Sequence, residues 1–454
     1  MALVPSQSGA RSLGMQKTLL GSALALLMAP AFALNLQQAY EAAMVHDANI
    51  KASRATAEAT KERLPQAKAQ LLPSVSLSAA RNHNNLTTRT QNYGQPVTLE
   101  NRYYSGNQSL SVRQPLYRPY QTALLDQAKA MVEDAEAVLE HDEHGLLVRV
   151  AEAYFDALLA QDQVQLIAAQ KQSNFAQLDA AQKSFVAGSG TRTDVDEAQA
   201  RVDMSLAQEL EARQNQDITR RRLEVLLGQP VDMLSGIAVS AFEPAAPQPP
   251  RLEDWIAQAE AASPELTALR AQMEAARLEI DKAQSGHKPT LDLVAQWSRS
   301  NSDSVTNINS RYDQKAVGLQ LSVPIYSGGY VSSTVRQAVA NHTQAREKLE
   351  AARLELTVRV HQEFRAVTEG VLKIAALEQA VRSAEQAVIS NHKSFEAGSR
   401  TTLDVLNAEQ QKTSALRDLA QARYMYVLAR LRLHVLAGTD RAVSLQQAAQ
   451  ALLP

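Results

Sequence analysis

Two stretches of this chain, Lys183 to Ala198 and Lys393 to Ala408, are near copies of one another. Ten of their sixteen aligned positions are identical, at an offset of 210 residues. Both carry the phrase Ala-Gly-Ser, which stops a helix, because glycine takes the left-handed conformation at a helix end without a Cβ penalty. The match extends beyond this phrase. Val148, Arg149 and Val150 return as Val358, Arg359 and Val360, and Leu223, Val225, Leu226 and Gly228 return as Leu433, Val435, Leu436 and Gly438. Gln114-Pro115-Leu116-Tyr117 returns as Val323-Pro324-Ile325-Tyr326 at 209, and Ala67 and Pro73 pair with Ala283 and Pro289 at 216. A period near 210 is far longer than a solenoid unit. It marks a duplicated half-protein with the same order of elements in each half.

The segments leading into the two copies constrain the shape further. From Tyr120 to Gly188 there is no proline, and Gly145 is the only interior glycine. Leu146, Val150, Ala153, Ala157, Ala160, Val164 and Ile167 step by fours and threes, the stripe of a coiled coil. A helix over this span is about 100 Å long. The second half repeats it from Val331 to Ala397, with Val360, Phe364, Val367, Val371, Ile374, Leu377 and Val381 on the stripe. The returning helices are expected to run to about Leu227 and Ala437, closed by Gly228 and Gly438. Thr191 or Thr193, and Thr401 or Thr402, are the candidate N-caps. Shorter helical pieces cover about Leu36 to Ala69 and Leu252 to Gln284, the latter restarting at Ser263-Pro264.

Between the helices the period changes to two. Val75, Leu77 and Ala79 share one face, as do Leu110 and Val112; Leu291, Leu293, Ala295 and Trp297; and Val317, Leu319, Leu321 and Val323. Each half therefore holds two strands, joined by polar loops expected over about Arg81 to Asn107 and Arg299 to Gln314. One apolar and one polar face suits either a half-buried soluble sheet or a membrane β-barrel with a polar lumen. Tyr103, Tyr104, Tyr117, Tyr120, Trp297, Tyr312, Tyr326 and Tyr330 flank the strands as interfacial girdles would. Four strands cannot close a barrel, and open edges cannot face lipid. The membrane reading thus requires an oligomer, with eight strands from two chains or twelve from three.

Residues 1–33 have the pattern of a secretory leader: Lys17, a short apolar run from Leu19 to Met28, and Ala31-Phe32-Ala33 as the cleavage site. Met15 is the expected natural start, with residues 1–14 an extension. The net charge of −2 becomes two units more negative when Arg11 and Lys17 leave with the leader, which argues against a nucleic-acid surface. The chain has no cysteine. Packing or assembly must hold it, and no lipid anchor on cysteine is expected. No later run of 18 apolar residues provides a spanning helix. The expected organisation is a first repeat over 34–228, with strand pair 73–115 and tip 188–191. A proline-rich equatorial linker follows over 229–250. The second repeat covers 251–438, with strand pair 289–324 and tip 398–401, and an equatorial segment over 439–454 ends the chain.

The duplicated order of helix, strand pair and helix hairpin, together with Gly398-Ser-Arg-Thr-Thr-Leu-Asp-Val-Leu406 at the second tip, resembles the TolC family of outer-membrane export ducts over the whole mature chain. The resemblance implies a mixed fold of α and membrane β. In it, a homotrimer forms a 12-stranded β-barrel, four strands per chain, continuous with a long 12-helix α-barrel of coiled coils and girdled by a small equatorial α/β belt. It implies a passive exit duct for tripartite drug efflux or type I protein secretion. The expected partners are outer-membrane lipid, a periplasmic adaptor protein, and an inner-membrane ABC transporter or proton-driven pump. Opening would come from partner-induced untwisting of the helices.

Carried over residue by residue, the resemblance puts a periplasmic gate at Asp194, Thr193, Arg400, Gln177 and Phe395, with Asp194 and Thr193 facing Arg400. It puts a pore constriction at Asp404 and Asn407, adaptor-docking tips at Gly188, Ser189, Gly398 and Ser399, and strand-to-helix junctions at Pro115 and Pro324. Phe395 stands where the family often has tyrosine, and Asn407 where a second acidic ring can occur. An Arg–Asp pair suits a gate, being bidentate and strong when partly dehydrated. A ring of Asp404 side chains would attract cations. His141-Asp-Glu-His144 is the one metal-capable cluster, and it lacks a fixed third ligand in a shielded pocket. No phosphate loop, nucleophile elbow or H-E-x-x-H motif is present, so neither enzyme chemistry nor a cofactor is expected. The alternative is a secreted periplasmic coiled-coil scaffold with a soluble sheet. It accounts for the heptads but not for one continuous apolar strand face.

Overall fold

The computed structural model describes residues 33–236, 242–302, 308–439 and 444–446. The leader expected over 1–33 lies outside them except for Ala33, and so does most of the 439–454 segment. Three short helices open the described chain: α1 (Leu36–His46), α2 (Ala48–Lys61) and α3 (Arg63–Ala69). Strands β1 (Ser74–Asn92) and β2 (Gln95–Tyr117) follow, then the hairpin of α4 (Pro119–Val186) and α5 (Arg192–Leu227). The second half repeats this order with α6 (Leu252–Ala262), α7 (Pro264–Gln284), β3 (Thr290–Asn301), β4 (Arg311–Ser322), α8 (Tyr330–Glu396) and α9 (Thr402–Leu436).

The duplication is visible in three dimensions. Helices α1 and α6 both have 11 residues. Each is followed at once by a capped helix: Asp47 accepts from the Ile50 amide, and Ser263 from that of Leu266. Pro264 takes the first helical position of α7, where its missing N–H costs nothing. The matched glycines that end α5 and α9 have φ of +68° and +70° and sit hard against those short helices. A Cβ on Gly228 would meet the His46 ring at 2.8 Å, and one on Gly438 would meet Ala262 Cβ at 2.3 Å.

Helices α4 and α8 have 68 and 67 residues, each about 100 Å long. Their shared core lies near the middle of that length. There Leu146, Leu147, Val150, Tyr154 and Leu158 of α4 meet Leu356, Val360 and Ile374 of α8, Tyr424, Leu428 and Leu431 of α9, and Leu36, Leu223 and Trp255. The Tyr154 hydroxyl donates to the Leu34 and Ser235 carbonyls at 2.8 and 2.9 Å, next to a parallel bridge between Leu34 and Leu234. Burial raises the Tyr154 pKa, so the phenol stays protonated and able to donate. No helix among the described residues is long and apolar enough to cross a membrane.

The described strands form one antiparallel sheet in the order β1-β2-β3-β4. Its register lines the apolar residues up on one face. One row reads Val75, Val112, Ala295 and Val317, and the next reads Leu77, Leu110, Trp297 and Lys315. Leu77, Val317 and Leu319 are 73%, 78% and 66% exposed. The other face is polar: Ser76 pairs with Ser111, and Ser78 with Ser109, each at 2.7 Å between hydroxyl oxygens.

The strands differ from expectation in length. Residues 81–107, expected as a polar loop, are mostly strand: β1 and β2 stay paired up to Asn92 and Gln95, around Tyr93 and Gly94 with φ of +50° and +77°. The loop over 299–314 is likewise shortened to the residues between Asn301 and Arg311. Alternation of apolar residues reports where a strand meets an apolar phase. Backbone ladder bonds and pairs such as Asn84 Nδ2 to Ser105 Oγ, at 2.8 Å, carry the hairpin past that point.

Candidate functional site

The two hairpin tips are built by one recipe. At the end of α4, the Gly188 N–H donates to the Phe185 carbonyl at 3.0 Å and the Ser189 N–H to that of Ser184 at 3.0 Å. At the end of α8, Gly398 donates to Phe395 at 2.8 Å and Ser399 to Ser394 at 2.9 Å. This double closure needs a left-handed residue between helix and loop, and Gly188 and Gly398 provide it at φ of +76° and +75°. The serine hydroxyls bond back to the same carbonyls, Ser189 Oγ to Ser184 at 3.2 Å and Ser399 Oγ to Ser394 at 3.0 Å. Nothing lies within 4 Å of a Cβ built on either glycine, so these tips are open surface.

Each return helix starts with a reciprocal cap. The Asp194 amide donates to Thr191 Oγ1 at 3.2 Å, and the Thr191 amide donates to Asp194 Oδ2 at 2.9 Å. Thr401 and Asp404 repeat this at 3.3 and 2.9 Å. Of the candidate caps, Thr191 and Thr401 are therefore the ones used. Thr193 is exposed and Thr402 is buried. Hydrogen bonds from the Thr401 backbone and hydroxyl, with Arg400 adding to them, hold the Asp404 carboxyl below the usual aspartate range.

Within its own chain the arginine at the tip has a different partner. The sequence places Arg400 opposite Asp194 and Thr193. Within one chain, Arg400 Nη1 lies 3.3 Å from Asp404 Oδ1, one turn along its own helix. Asp194 instead satisfies the otherwise orphaned amide and hydroxyl of Thr191, because an acid at the third helical position is drawn to the unpaired N–H groups there.

The residues that join the two hairpins near the tip are others. Arg201 Nη2 of α5 donates to Asn407 Oδ1 of α9 at 3.0 Å. The Arg201 carbonyl in turn accepts from Asn174 Nδ2 of α4 at 3.3 Å. Higher up, Gln170 of α4 bonds Gln410 of α9. Beneath these polar links sits a small apolar cluster in which Leu406 of α9 packs on Leu178, Ala181, Ala198 and Val202 of the first hairpin. Gln177, adjacent to Leu178, is buried, Phe395 is half-buried and Asn407 is exposed. Arg201 went unnoticed in the sequence because it lies outside the repeated loop. Its signal was a long cation one turn beyond the buried Ala198. Above the links, Leu166, Gln170, Gln208, Asn215, Gln410 and Arg417 line a groove of about 350 Å³ between the hairpins.

At the other end of the hairpins, the strand-to-helix junction holds a second polar centre. Asp292, 2% exposed, accepts from Arg113 Nε of β2 at 3.0 Å and from Arg118 Nε, just before α4, at 2.9 Å. Pro115 stands opposite Asp292 at a register shift just before the last β2–β3 pair, Tyr117 with Leu291, and Pro324 lies just past β4. The sequence showed Asp292 only as one polar residue of an alternating strand. The histidine cluster in α4 is taken up by packing: Ser53 Oγ donates to Asp142 at 2.5 Å and Arg54 lies 3.4 Å from Glu143. No group able to hold a metal occurs among the described residues.

Paired hairpins with matched caps and a four-stranded sheet at the far end form a recognisable whole. Residues 39–229 and 255–439 match the model of the outer membrane efflux protein family, the two segments falling on the two repeats. The chain belongs to the outer membrane efflux protein family. It is 37% identical over 424 residues to the alkaline protease secretion protein AprF of Pseudomonas aeruginosa, covering 92% of this chain and 88% of that one. It is 31% identical over 433 residues to the outer membrane protein TolC of Escherichia coli, covering 93% and 85%. Among solved structures, CusC superposes with a TM-score of 0.77 at 14% identity, over 89% of this chain and 92% of that one. The outer membrane protein VceC of Vibrio cholerae superposes at 0.74 and 21%, over 89% and 96%. These structures share the fold. Family members are outer-membrane export channels with helical periplasmic tunnels, not enzymes. The secreted-scaffold alternative does not fit that membership.

Proposed function

We propose that three copies of this chain assemble into a passive exit duct closed at its helical tips, and that it serves type I protein secretion. The observation that carries this is the sheet. Its apolar face continues through all four strands, with Val75, Val112, Ala295 and Val317 in one row, while among the described residues β1 and β4 each have one edge without a partner strand. Open edges are not tolerated in lipid. Joining the β4 edge of one protomer to the β1 edge of the next resolves both, and three copies give twelve strands. The helical hairpins then multiply in the same way into a tunnel. The relatives AprF and PrtF, the latter from Dickeya chrysanthemi and 32% identical, are named for protease secretion. This favours an inner-membrane ABC transporter with a periplasmic adaptor over a proton-driven pump.

In this reading the tips are the gate. Asp404 from three chains forms a negative ring, and Arg400 reaches Asp194 or Thr193 of a neighbouring protomer. The adaptor docks on the exposed loops at Gly188, Ser189, Gly398 and Ser399. Opening parts the hairpins of each chain, breaking Arg201–Asn407 and exposing Leu406.

The chain has no cysteine, so a test by tethering needs no background removal. Cysteines at 201 and 407 joined by a short bismaleimide should arrest export in cells, while either single cysteine treated alike should not. Continued export with the tether formed would contradict hairpin separation.

A further inference from the structure

The outward face of the sheet changes character abruptly with distance from the helices. The apolar residues of β3 extend from Leu291 to Trp297, about 20 Å along the strand, with Val75, Leu77, Leu110, Val112, Val317 and Leu319 beside them. Two residues further, the rows become Ala79, Gln108, Arg299 and Asp313, and then Arg81, Gly106, Asn301 and Arg311. Lys315 stands beside Trp297, and Arg102 lies two rows past Arg81 on the same face. Five cations thus border the apolar rows against two carboxylates: Glu100, one row past Arg102, and Asp313, which is taken by Arg299 at 2.9 Å and by the Trp297 indole N–H at 3.0 Å. Among the described residues Arg81 and Arg102 form no ion pair, Lys315 has only Asp313 near it, which Arg299 already holds, and all three are exposed. The Arg81 guanidinium sits 5.3 Å over the Tyr104 ring, which packs on His83 at 4.9 Å and is itself 62% exposed.

A run of cations bordering an apolar band is costly for self-repulsion and useless for packing. It suits a sheet of anions lying at the level where lipid tails end. The helices leave the opposite end of the sheet, through Arg118 and Tyr330, and the family's helices occupy the periplasm. The basic belt therefore lies at the outer leaflet. We propose that this belt binds the phosphorylated sugar headgroups of outer-leaflet lipids, with Arg81, Arg102 and Lys315 meeting phosphates and the Tyr104 ring offering its face to a sugar. The inference rests on the duct reading, in which the apolar rows face lipid.

The test uses the full-length protein in detergent, incubated with lipid A carrying both phosphates, with the same lipid A stripped of phosphate, or with phosphatidylethanolamine, and read by native mass spectrometry. Wild type should retain the phosphorylated lipid in preference to the other two. The triple variant Arg81→Gln, Arg102→Gln, Lys315→Gln should hold it about a hundredfold more weakly, each cation contributing about fivefold at an anionic surface. A control removing the same charge from the outside of α8, Arg346→Gln, Arg365→Gln, Arg382→Gln, should retain it as wild type does. Equal retention by the belt variant, or equal retention of the phosphate-free lipid by wild type, would overturn the proposal. Channel formation in planar bilayers by the same preparations separates the two failures. A conducting protein indifferent to phosphate overturns only the lipid site, whereas a protein that enters no bilayer overturns the duct reading as well.

Discussion

Arg201 of the first hairpin and Asn407 of the second are 206 residues apart in sequence and share one hydrogen bond of 3.0 Å at the surface of the tip. In a gate this pairing has a useful balance. The donor is charged and the acceptor neutral, and both are in water, so the bond contributes on the order of 1 kcal/mol. It is enough to bias a closed state and little enough for a partner to break. Arg201→Ala should raise the open probability in planar bilayers by about fivefold. Asn407→Asp should lower it, because a carboxylate acceptor strengthens the bond. Opposite signs from two substitutions at one contact are the expected signature of a latch.

Leu406 is 3% exposed and packs across the hairpin boundary onto Leu178, Ala181, Ala198 and Val202. Leu406→Ala should cost about 2–5 kcal/mol of local packing. The loss falls on the contact between hairpins, so limited proteolysis at the tips should accelerate while the barrel end stays resistant. Uniform destabilisation along the molecule would place the cluster in the global core instead.

Asp292 is buried between Arg113 and Arg118 where the sheet becomes helix. Asp292→Asn leaves two guanidinium groups without their anion, with an expected loss of about 3 kcal/mol. The measurement is heat resistance of the assembled protein on a gel. Double replacement of both arginines by Gln together with Asp292→Asn should restore part of the loss, since the cost arises from unpaired charge.

Acid affects the tip in a defined direction. The Thr401 bonds and Arg400 lower the Asp404 pKa from its ordinary value of 3.8. A depressed carboxylate contributes stability that is present above the unfolded pKa and lost as pH falls through the folded one. In the proposed trimer the Asp404 carboxylates should therefore keep their charge through mildly acid pH, and block of the channel by divalent cations should persist there. In Thr401→Ala the two hydroxyl bonds are lost while the backbone N–H still donates to Asp404, and the block should fade at a somewhat higher pH.

Burial lowers the pKa of His434, whose ring packs edge-on against Trp255 at 5.2 Å. A lowered histidine leaves stability intact above the unfolded value of 6.5 and erodes it as pH falls from there towards the folded pKa. Thermal denaturation of wild type should show that decline, and His434→Phe should flatten it.

Much of this fold was legible because it is written in backbone terms. Gly188, Gly398, Gly228 and Gly438 mark helix ends that only a left-handed residue can make. The three-four stripe from Leu146 to Ile167 has no reading other than a long helix. The strands were legible only where apolar residues alternate, as at Val75 and Leu77, Leu110 and Val112, Leu291 to Trp297 and Val317 to Leu321. Beyond Ala79 the alternation is polar against polar, and nothing local distinguishes a wet strand from a loop. Side-chain partners were least accessible. Asp194 and Arg400 carry opposite charge in the two tip segments, and the family resemblance pairs them. Yet each has a nearer claim on it, the Thr191 amide and hydroxyl for one and Asp404 for the other. Arg201 and Asp292 take partners 206 and 179 residues away, distances at which a single sequence gives no register.

The central claim is that this chain forms a channel held shut at its tips. Single-channel conductance of the purified protein in planar bilayers tests it most directly, beside the double variant Arg201→Ala, Arg400→Ala. Small openings in wild type that grow in the variant are the predicted result. Membrane-inserted trimers that conduct equally with and without both arginines would contradict closure at the tips.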